Sequence, residues 1–240
     1  MKLFSQVKQS FQALTRFEWG LYLTSLCVVT ISFFFGDTSN PLSLISSLVG
    51  LTSLILIAKG DVLGQVLTCV FCILYAIDSF HLRYYGEMIS FLGMSFPSAV
   101  AAIIAWVRHP FEEAKNEGKN EVEVAKLTPR YKVELVLGTI AVTTVFYFIL
   151  RALGNASLVW STISIATSFI PSYLVIRRSP YYALGYATND IILIILWIIA
   201  AAQDLMHLPM VFCFLMFLLN DIYAFINWRR MEKRQQEKTE

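Results

Sequence analysis

Two Asn-Asp dipeptides, Asn189-Asp190 and Asn220-Asp221, lie inside long apolar segments of this sequence. An ionisable side chain in such a segment costs something like 2.5–3.5 kcal/mol to insert into a membrane, so it marks a functional site by default. Amides and carboxylates form directional hydrogen bonds, and in a cavity closed to water they can hold the hydroxyl groups of a polar solute. The residues therefore favour binding chemistry.

The two dipeptides are expected to lie at the same depth. Asn189 follows Tyr181, the start of its segment, by eight residues, and Asn220 precedes Trp228, the end of the next segment, by eight. At 1.5 Å per residue each lies about 12 Å from one membrane boundary. Two neighbouring helices then present polar groups at one level, which is how a helical bundle holds a polar ligand.

Other polar and aromatic side chains share faces with these dipeptides. Successive residues of a helix turn by about 100°, so Trp197 falls on the face of Asp190, and Asn227 falls on the face of Asn220. Tyr223 flanks the second face. The candidate substrate-binding residues are Gln65, Asn189, Asp190, Trp197, Asn220, Tyr223 and Asn227. The alternative for the amides and carboxylates is a polar clamp between helices.

A hydroxyl stripe and a proline mark the preceding apolar segment. Its serines recur at helical spacing, at Ser161, Ser164, Ser168 and Ser172. Small hydroxyl residues let membrane helices approach closely, so we expect a packing surface there. Pro171 removes an intrahelical hydrogen bond and can kink the segment.

The sequence has no constellation typical of an enzyme. It lacks a Gly-rich phosphate loop, a Gly-x-Ser-x-Gly elbow and a His-Glu-x-x-His motif. Cys69-x-x-Cys72 has the spacing of zinc ligands but no second pair to complete four. We expect no catalytic residue, no metal site and no cofactor.

Composition assigns the chain to the membrane. Of 240 residues 57% are hydrophobic and 15% are charged, whereas soluble domains carry about 25% charged residues. We predict an all-α integral membrane protein with eight transmembrane helices in one domain, residues 1–240. The predicted spans are Trp19–Phe35, Leu42–Ala58, Val62–Phe80, Tyr85–Val107, Tyr131–Leu150, Ser157–Ile176, Tyr181–Ala202 and Leu208–Trp228.

The basic residues give the orientation. With the N-terminus inside, 17 Lys and Arg residues lie on the inner side and two, Arg83 and Arg151, on the outer side. Cytoplasmic loops are enriched in Lys and Arg. We therefore expect a multi-pass protein of the cytoplasmic (inner) membrane with both termini in the cytoplasm.

Loop lengths suggest an internal repeat. Tight turns join spans two to four and spans six to eight, and a long basic loop precedes span five. The prediction is a 3+1+3 plan with a first three-helix bundle at 41–108, a linker helix at 131–151 and a second bundle at 157–229, plus an extra N-terminal helix. Parallel repeats of this kind hold substrate between the repeats near the midplane.

Several motifs resemble the Pnu family of vitamin transporters. They are Tyr85-Gly86-Glu87-Met88, Asn189-Asp190-x6-Trp197 and Leu219-Asn220-Asp221-Ile222-Tyr223. The resemblance covers roughly residues 50–234 and is strongest in the last two spans. It implies a fold like that of the SWEET sugar transporters.

The resemblance also implies a function. The expected activity is facilitated diffusion of nicotinamide riboside, driven by a cytoplasmic kinase that phosphorylates and traps it. The expected assembly is a homo-oligomer, a trimer, in the lipid bilayer, with no nucleic-acid partner. Carried over by motif, Asn189, Trp197, Asn220, Tyr223 and Asn227 contact ribose and ring, with Asp190 and Gln65 beside them. Two alternatives stay open: a carrier of thiamine, riboflavin or another nucleoside, and a membrane scaffold or intramembrane enzyme.

Overall fold

The computed structural model describes residues 2–36, 38, 40–81, 85–116, 120–154 and 158–239. Helices make up most of this part of the chain, and it contains no strand. The helices are α1 (Lys2–Gln12), α2 (Arg16–Phe33), α3 (Pro41–Ala58), α4 (Val62–His81), α5 (Tyr85–Ser90), α6 (Phe96–Arg108), α7 (Glu112–Asn116), α8 (Pro129–Ala152), α9 (Leu158–Ile176), α10 (Tyr181–Ala201) and α11 (Leu208–Thr239).

Seven helical segments in the described ranges are long and apolar enough to cross a membrane. They are Pro41–Ala58, Val62–His81, Met88–Arg108, Pro129–Ala152, Leu158–Ile176, Tyr181–Ala201 and Leu205–Lys238. The all-α membrane architecture is thereby confirmed. The first predicted span forms α2, which is not one of the seven; its first turn carries Arg16 and Glu18, which lower its hydropathy. Arg83 and Ser157, used in the predicted topology, lie outside the described residues.

The membrane helices pack as two groups that contact each other at two helix–helix interfaces. In one group α4 packs between α3 and α6, and in the other α10 packs between α9 and α11. The groups meet where α3 contacts α11 and where α6 contacts α9. We call these contacts the α3/α11 seam and the α6/α9 seam. Helix α8 packs against α9, and α2 packs against both α3 and α11.

Two matching turns close the groups at the end where both chain termini lie. Gly60 follows α3 and Arg178 follows α9, both with left-handed backbone, at φ 71° and 55°. In each turn this residue donates its N–H to the carbonyl three residues earlier, Ile57 at 2.8 Å and Val175 at 3.0 Å. Such a left-handed residue commonly ends a helix. The two groups thus end in the same way.

The segment between α7 and α8 crosses this end of the bundle and binds both turns. Val122 N donates to Gly60 O at 3.0 Å, and Ala125 N donates to Arg178 O at 3.0 Å. The last turns of α11 hold the segment from the other side, since Gln235 Oε1 accepts from Val124 N at 2.8 Å. We call this end of the bundle the terminal face.

The helices at the α6/α9 seam carry backbone irregularities. A π-helical turn, Phe91–Ser95, joins α5 to α6, and Pro97 follows it in the first turn of α6. Pro171 lies inside α9, which continues through it as one helix. A Cβ on Gly185 of α10 would lie 2.9 Å from the Pro171 Cβ, so a glycine is required there for α10 to pack on the proline.

Candidate functional site

A cavity of about 510 Å³ lies between the two groups of helices. Its walls come from α3 and α4 on one side, from α9, α10 and α11 on the other, and from the π-helical turn and the end of α8. Small-molecule sites in proteins have volumes of roughly 300–1,000 Å³. The cavity therefore has room for one small polar solute.

Three of the predicted site residues lie together on the α10 wall of this cavity. Asn189, Asp190 and Trp197 all line it and are all buried. The Asn189 side chain is held by α9, because its Oδ1 accepts from Thr167 Oγ1 and from Ser168 Oγ, each at 2.9 Å. Both bonds use the amide oxygen, which leaves the amide nitrogen to donate to another partner.

The serine stripe of α9 belongs to the same wall. Ser161, Ser164 and Ser168 line the cavity. Ser172 lies one turn further on and is within 3.3 Å of the Tyr186 hydroxyl. The stripe, expected to be a packing surface, thus contributes hydroxyl groups to the cavity and orients an amide in it.

Asp190 and Asp221 form a buried carboxyl pair at the cavity. Both line it, with exposures of 4% and 3%, and their carboxyl groups interact with each other. Two ionised carboxylates that share a buried site repel each other strongly, so the acidic pair carries at most one negative charge. Asp190 Oδ2 has no hydrogen-bond partner among the described residues. No Lys or Arg is among the described residues that line the cavity, so no basic side chain there balances a charge on the pair.

Asp221 is a cavity residue that sequence reasoning missed. Residues 220 and 221 are separated by about 100° around the helix, so only one of them can face a given neighbour. Asn220 was expected to face the site, but the structure has Asp221 there. A helix that is apolar on every side gives no pattern from which its rotation could be read.

Three predicted site residues of α11 do not line the cavity and contact other helices instead. Asn220 Nδ2 donates to Ser25 Oγ of α2 at 3.0 Å. Asn227 Nδ2 donates to the Ala58 carbonyl at the end of α3 at 2.7 Å. Tyr223 donates its hydroxyl to Glu18 of α2. All three bonds join α11 to a helix at the α3/α11 seam.

The remaining cavity wall is aromatic and supplies one further amide. Gln65, predicted as a site residue, lines it from α4 and is buried. The rings of Phe71, Tyr75, Phe91, Phe214 and Phe217 line the cavity together with Trp197. The closest ring pair, Tyr75 and Phe91, has centroids 4.4 Å apart. Flat apolar faces beside amide and carboxyl groups suit a planar ring that carries hydroxyl groups.

Two tryptophans close the bundle between the cavity and the terminal face. Trp228 Nε1 donates to the Ile57 carbonyl of α3 at 2.9 Å, and Trp106 Nε1 donates to the Val175 carbonyl of α9 at 3.0 Å. Their rings lie 5.4 Å apart, and both are buried. Each indole thus crosses one seam and reaches the penultimate residue of a helix in the other group.

The chain is similar to known proteins over most of its length. The family model described as Nicotinamide mononucleotide transporter matches residues 40–230. The nicotinamide riboside transporter PnuC of Neisseria mucosa is 27% identical over 231 residues, which are 95% of this chain and 86% of that protein. The PnuC of Haemophilus influenzae is 24% identical over 235 residues, 98% of this chain and 99% of that protein.

A solved structure shows the same fold. It is described as the crystal structure of the vitamin B3 transporter PnuC, with a TM-score of 0.82 at 24% identity, covering 96% of this chain and 98% of that one. The family is one of transporters, in agreement with the prediction that the chain is not an enzyme. The match over residues 40–230 covers most of the chain, which therefore belongs to the nicotinamide mononucleotide transporter family.

Proposed function

We propose that the protein carries nicotinamide riboside across the membrane through this cavity. The observation that carries the proposal is the lining: aromatic rings, two amides and an acidic pair, with no Lys or Arg among the described lining residues. Nicotinamide riboside is a planar pyridinium cation joined to a ribose, and each part of it has a chemical counterpart in that lining. Two relatives of the chain have the name nicotinamide riboside transporter.

The pyridinium ring is the part of the solute for which the cavity lining offers the most distinctive partners. A cation over the face of a tryptophan gains up to about 2 kcal/mol when water is excluded, and Trp197 is the tryptophan that lines the cavity. The acidic pair adds a negative charge that no basic residue of the described lining neutralises. We propose that Trp197 stacks on the ring and that Asp190 and Asp221 balance its charge.

The ribose hydroxyl groups need donors and acceptors. Asn189 and Gln65 supply both, since an amide offers an oxygen and two N–H groups. Asn189 is already oriented by Thr167 and Ser168, so it loses little freedom when a ligand binds. We propose that these two amides hold the ribose.

The lining also supports a nucleoside over a nucleotide. Nicotinamide mononucleotide, the molecule in the family's description, adds a phosphate that would bring negative charge into a cavity with an acidic pair. Phosphate sites normally use Arg, Lys or a helix N-terminus. Thiamine is a cation too but lacks ribose, so the ribose contacts separate it from nicotinamide riboside. Riboflavin has a hydroxylated ribityl chain, but its ring system is larger and neutral, so size and charge separate it.

Asn220, Tyr223 and Asn227 take a different part in this proposal. Their hydrogen bonds run to Ser25, Glu18 and the end of α3 rather than toward the cavity. We propose that they clamp α11 to α2 and α3, the alternative that the sequence left open for the amides. Asp221 replaces them among the contacts to the solute.

The architecture and the mode of transport are part of the same proposal. The matching turns after α3 and α9 support two parallel three-helix bundles, 41–108 and 157–229, with α8 as the linker and α2 as an eighth, N-terminal span in one domain. We propose that the terminal face is cytoplasmic in the inner membrane, that the protein is a trimer, and that transport is facilitated diffusion with a cytoplasmic kinase trapping the product.

Calorimetric titration of the purified protein tests the substrate. We expect nicotinamide riboside to bind, and nicotinamide mononucleotide, thiamine and riboflavin to bind at least tenfold more weakly. Tighter binding of the mononucleotide would contradict the charge argument. Liposomes that enclose a nicotinamide riboside kinase and ATP test the trapping, since they should accumulate the phosphorylated product, whereas liposomes without the kinase should not.

A further inference from the structure

The two seams are joined by matching tryptophan hydrogen bonds but differ in the side chains and helices around them. Trp228 crosses the α3/α11 seam and Trp106 crosses the α6/α9 seam, each with one indole hydrogen bond to the penultimate carbonyl of the opposite helix. If the groups were joined by these bonds alone, the seams would be equally strong. The side chains beside the tryptophans make them unequal.

The α3/α11 seam has additional fastenings. Asn227, next to Trp228, donates to the last carbonyl of α3, while α6 carries Ala105 at the matching position next to Trp106. The Tyr182 hydroxyl also donates to the Ile57 carbonyl, at 3.5 Å. These bonds fix the end of α3 to α11 and α10.

Helix α2 braces the same seam from outside. It packs against both α3 and α11. Glu18 of α2 accepts the Tyr223 hydroxyl of α11 and pairs with Lys59 at the end of α3 at 3.1 Å. One buried carboxylate therefore binds both helices of the seam together.

The α6/α9 seam has the features of a part that bends. Pro171 interrupts the hydrogen bonding inside α9, and a π-helical turn runs directly into α6. Prolines and π-helical turns are the usual sites of helix kinks. The prolines of α3 and α11, Pro41 and Pro209, lie in the first turns of their helices, where they leave the hydrogen bonding intact.

We propose that the cavity opens toward the terminal face by separation of the α6/α9 seam, while the α3/α11 seam stays closed and acts as the hinge. The π-helical turn that leads into α6 and the serines of α9 both line the cavity, so separation of α6 from α9 uncovers the solute. The Trp106 bond breaks in the open state, and the Trp228 bond persists. This inference rests on the proposed transport function.

The two tryptophans supply a matched pair of variants, Trp106→Phe and Trp228→Phe. Each keeps an aromatic ring and removes one N–H donor. Loss of a bond that exists only in the closed state shifts the opening equilibrium, whereas loss of a bond present in both states lowers stability alone. The opening of the cavity can be followed at Cys72, which lines it and is 0% exposed.

The experiment measures the rate at which a charged methanethiosulfonate reagent modifies Cys72 in detergent, with the other three cysteines changed to serine. Trp106→Phe should raise the rate about fivefold, the effect of one net hydrogen bond. Trp228→Phe should leave it within twofold and lower the melting temperature. Equal acceleration by both variants, acceleration by Trp228→Phe alone, or no acceleration by Trp106→Phe would each overturn the proposal.

A second variant keeps the test independent of Trp106. Ala105→Asn gives the α6/α9 seam the counterpart of Asn227, and it should slow Cys72 modification about fivefold. An unchanged or faster rate would contradict the inference. Neither measurement uses nicotinamide riboside, so failure of the seam proposal is distinguishable from failure of the proposed substrate, which titration tests separately.

Discussion

Removal of the charge of the acidic pair is the sharpest test of the binding site. Asp190→Asn and Asp221→Asn each leave one carboxyl that can carry the whole charge, because the pair holds at most one. We therefore expect each single variant to raise the Kd of nicotinamide riboside only a few fold. The double variant keeps the shape of both side chains and removes the charge.

The expected loss in the double variant follows from Coulomb's law. A pyridinium centre about 6 Å from a carboxylate, at an effective dielectric constant of about 20, is stabilised by roughly 2–3 kcal/mol. That energy corresponds to a factor of roughly 30–150 in Kd. The three variants together should therefore be strongly non-additive.

The assay is calorimetric titration with two ligands of nearly the same shape. Nicotinamide riboside is a cation, and its reduced dihydropyridine form is neutral. The wild-type protein should prefer the cation, and the double variant should bind both forms with similar affinity. A double variant that loses affinity equally for both forms, or that keeps its preference for the cation, would refute the assignment of the acidic pair as a counter-charge.

The other predictions concern the site, the orientation and the mode of transport. Trp197→Ala should raise the Kd of nicotinamide riboside tenfold or more through loss of the stacking face. Asn220→Ala should leave the Kd of nicotinamide riboside within about twofold and lower the free energy of unfolding by about 1–3 kcal/mol, because two buried hydrogen bonds are lost. A large rise in Kd with unchanged thermal unfolding would show instead that Asn220 contacts the substrate. A reporter after Lys119 should be cytoplasmic and one after Ser39 external, and an external Lys119 would reverse the proposed orientation. Uptake into liposomes should stop at equal concentrations and ignore a proton or sodium gradient imposed at zero membrane potential, whereas accumulation under those conditions would exclude facilitated diffusion.

The helices were predictable from the sequence because hydropathy is a local property. The predicted span Val62–Phe80 corresponds to α4, Val62–His81, and the predicted span Tyr181–Ala202 corresponds to α10, Tyr181–Ala201. The polar wall of α10 was also predictable, since Asp190 and Trp197 share one face whatever the rotation of the helix. Both line the cavity.

The partners of α11 were not predictable, for two physical reasons. The rotation of a helix that is apolar on all sides is set by its neighbours, so nothing local decides whether Asn220 or Asp221 faces the cavity. The indoles of Trp106 and Trp228 donate to backbone carbonyls. Every residue type has a backbone carbonyl, so the acceptor cannot be recognised from the sequence. The pairing of Tyr223 with Glu18 spans 205 positions of sequence, and no spacing rule reaches that far.

The uncompensated acidic pair has a consequence for the energetics of uptake. If a site with one negative charge binds a monocation, the loaded site is neutral and the empty site is charged, so the membrane potential acts on the return of the empty site. Each cycle then moves one positive charge inward. A potential of 100 mV is worth roughly 2.3 kcal/mol per elementary charge, which corresponds to an equilibrium ratio of roughly 50 between inside and outside. In an energised cell, a carrier that pumps nothing would still concentrate its solute electrophoretically, before any kinase acts.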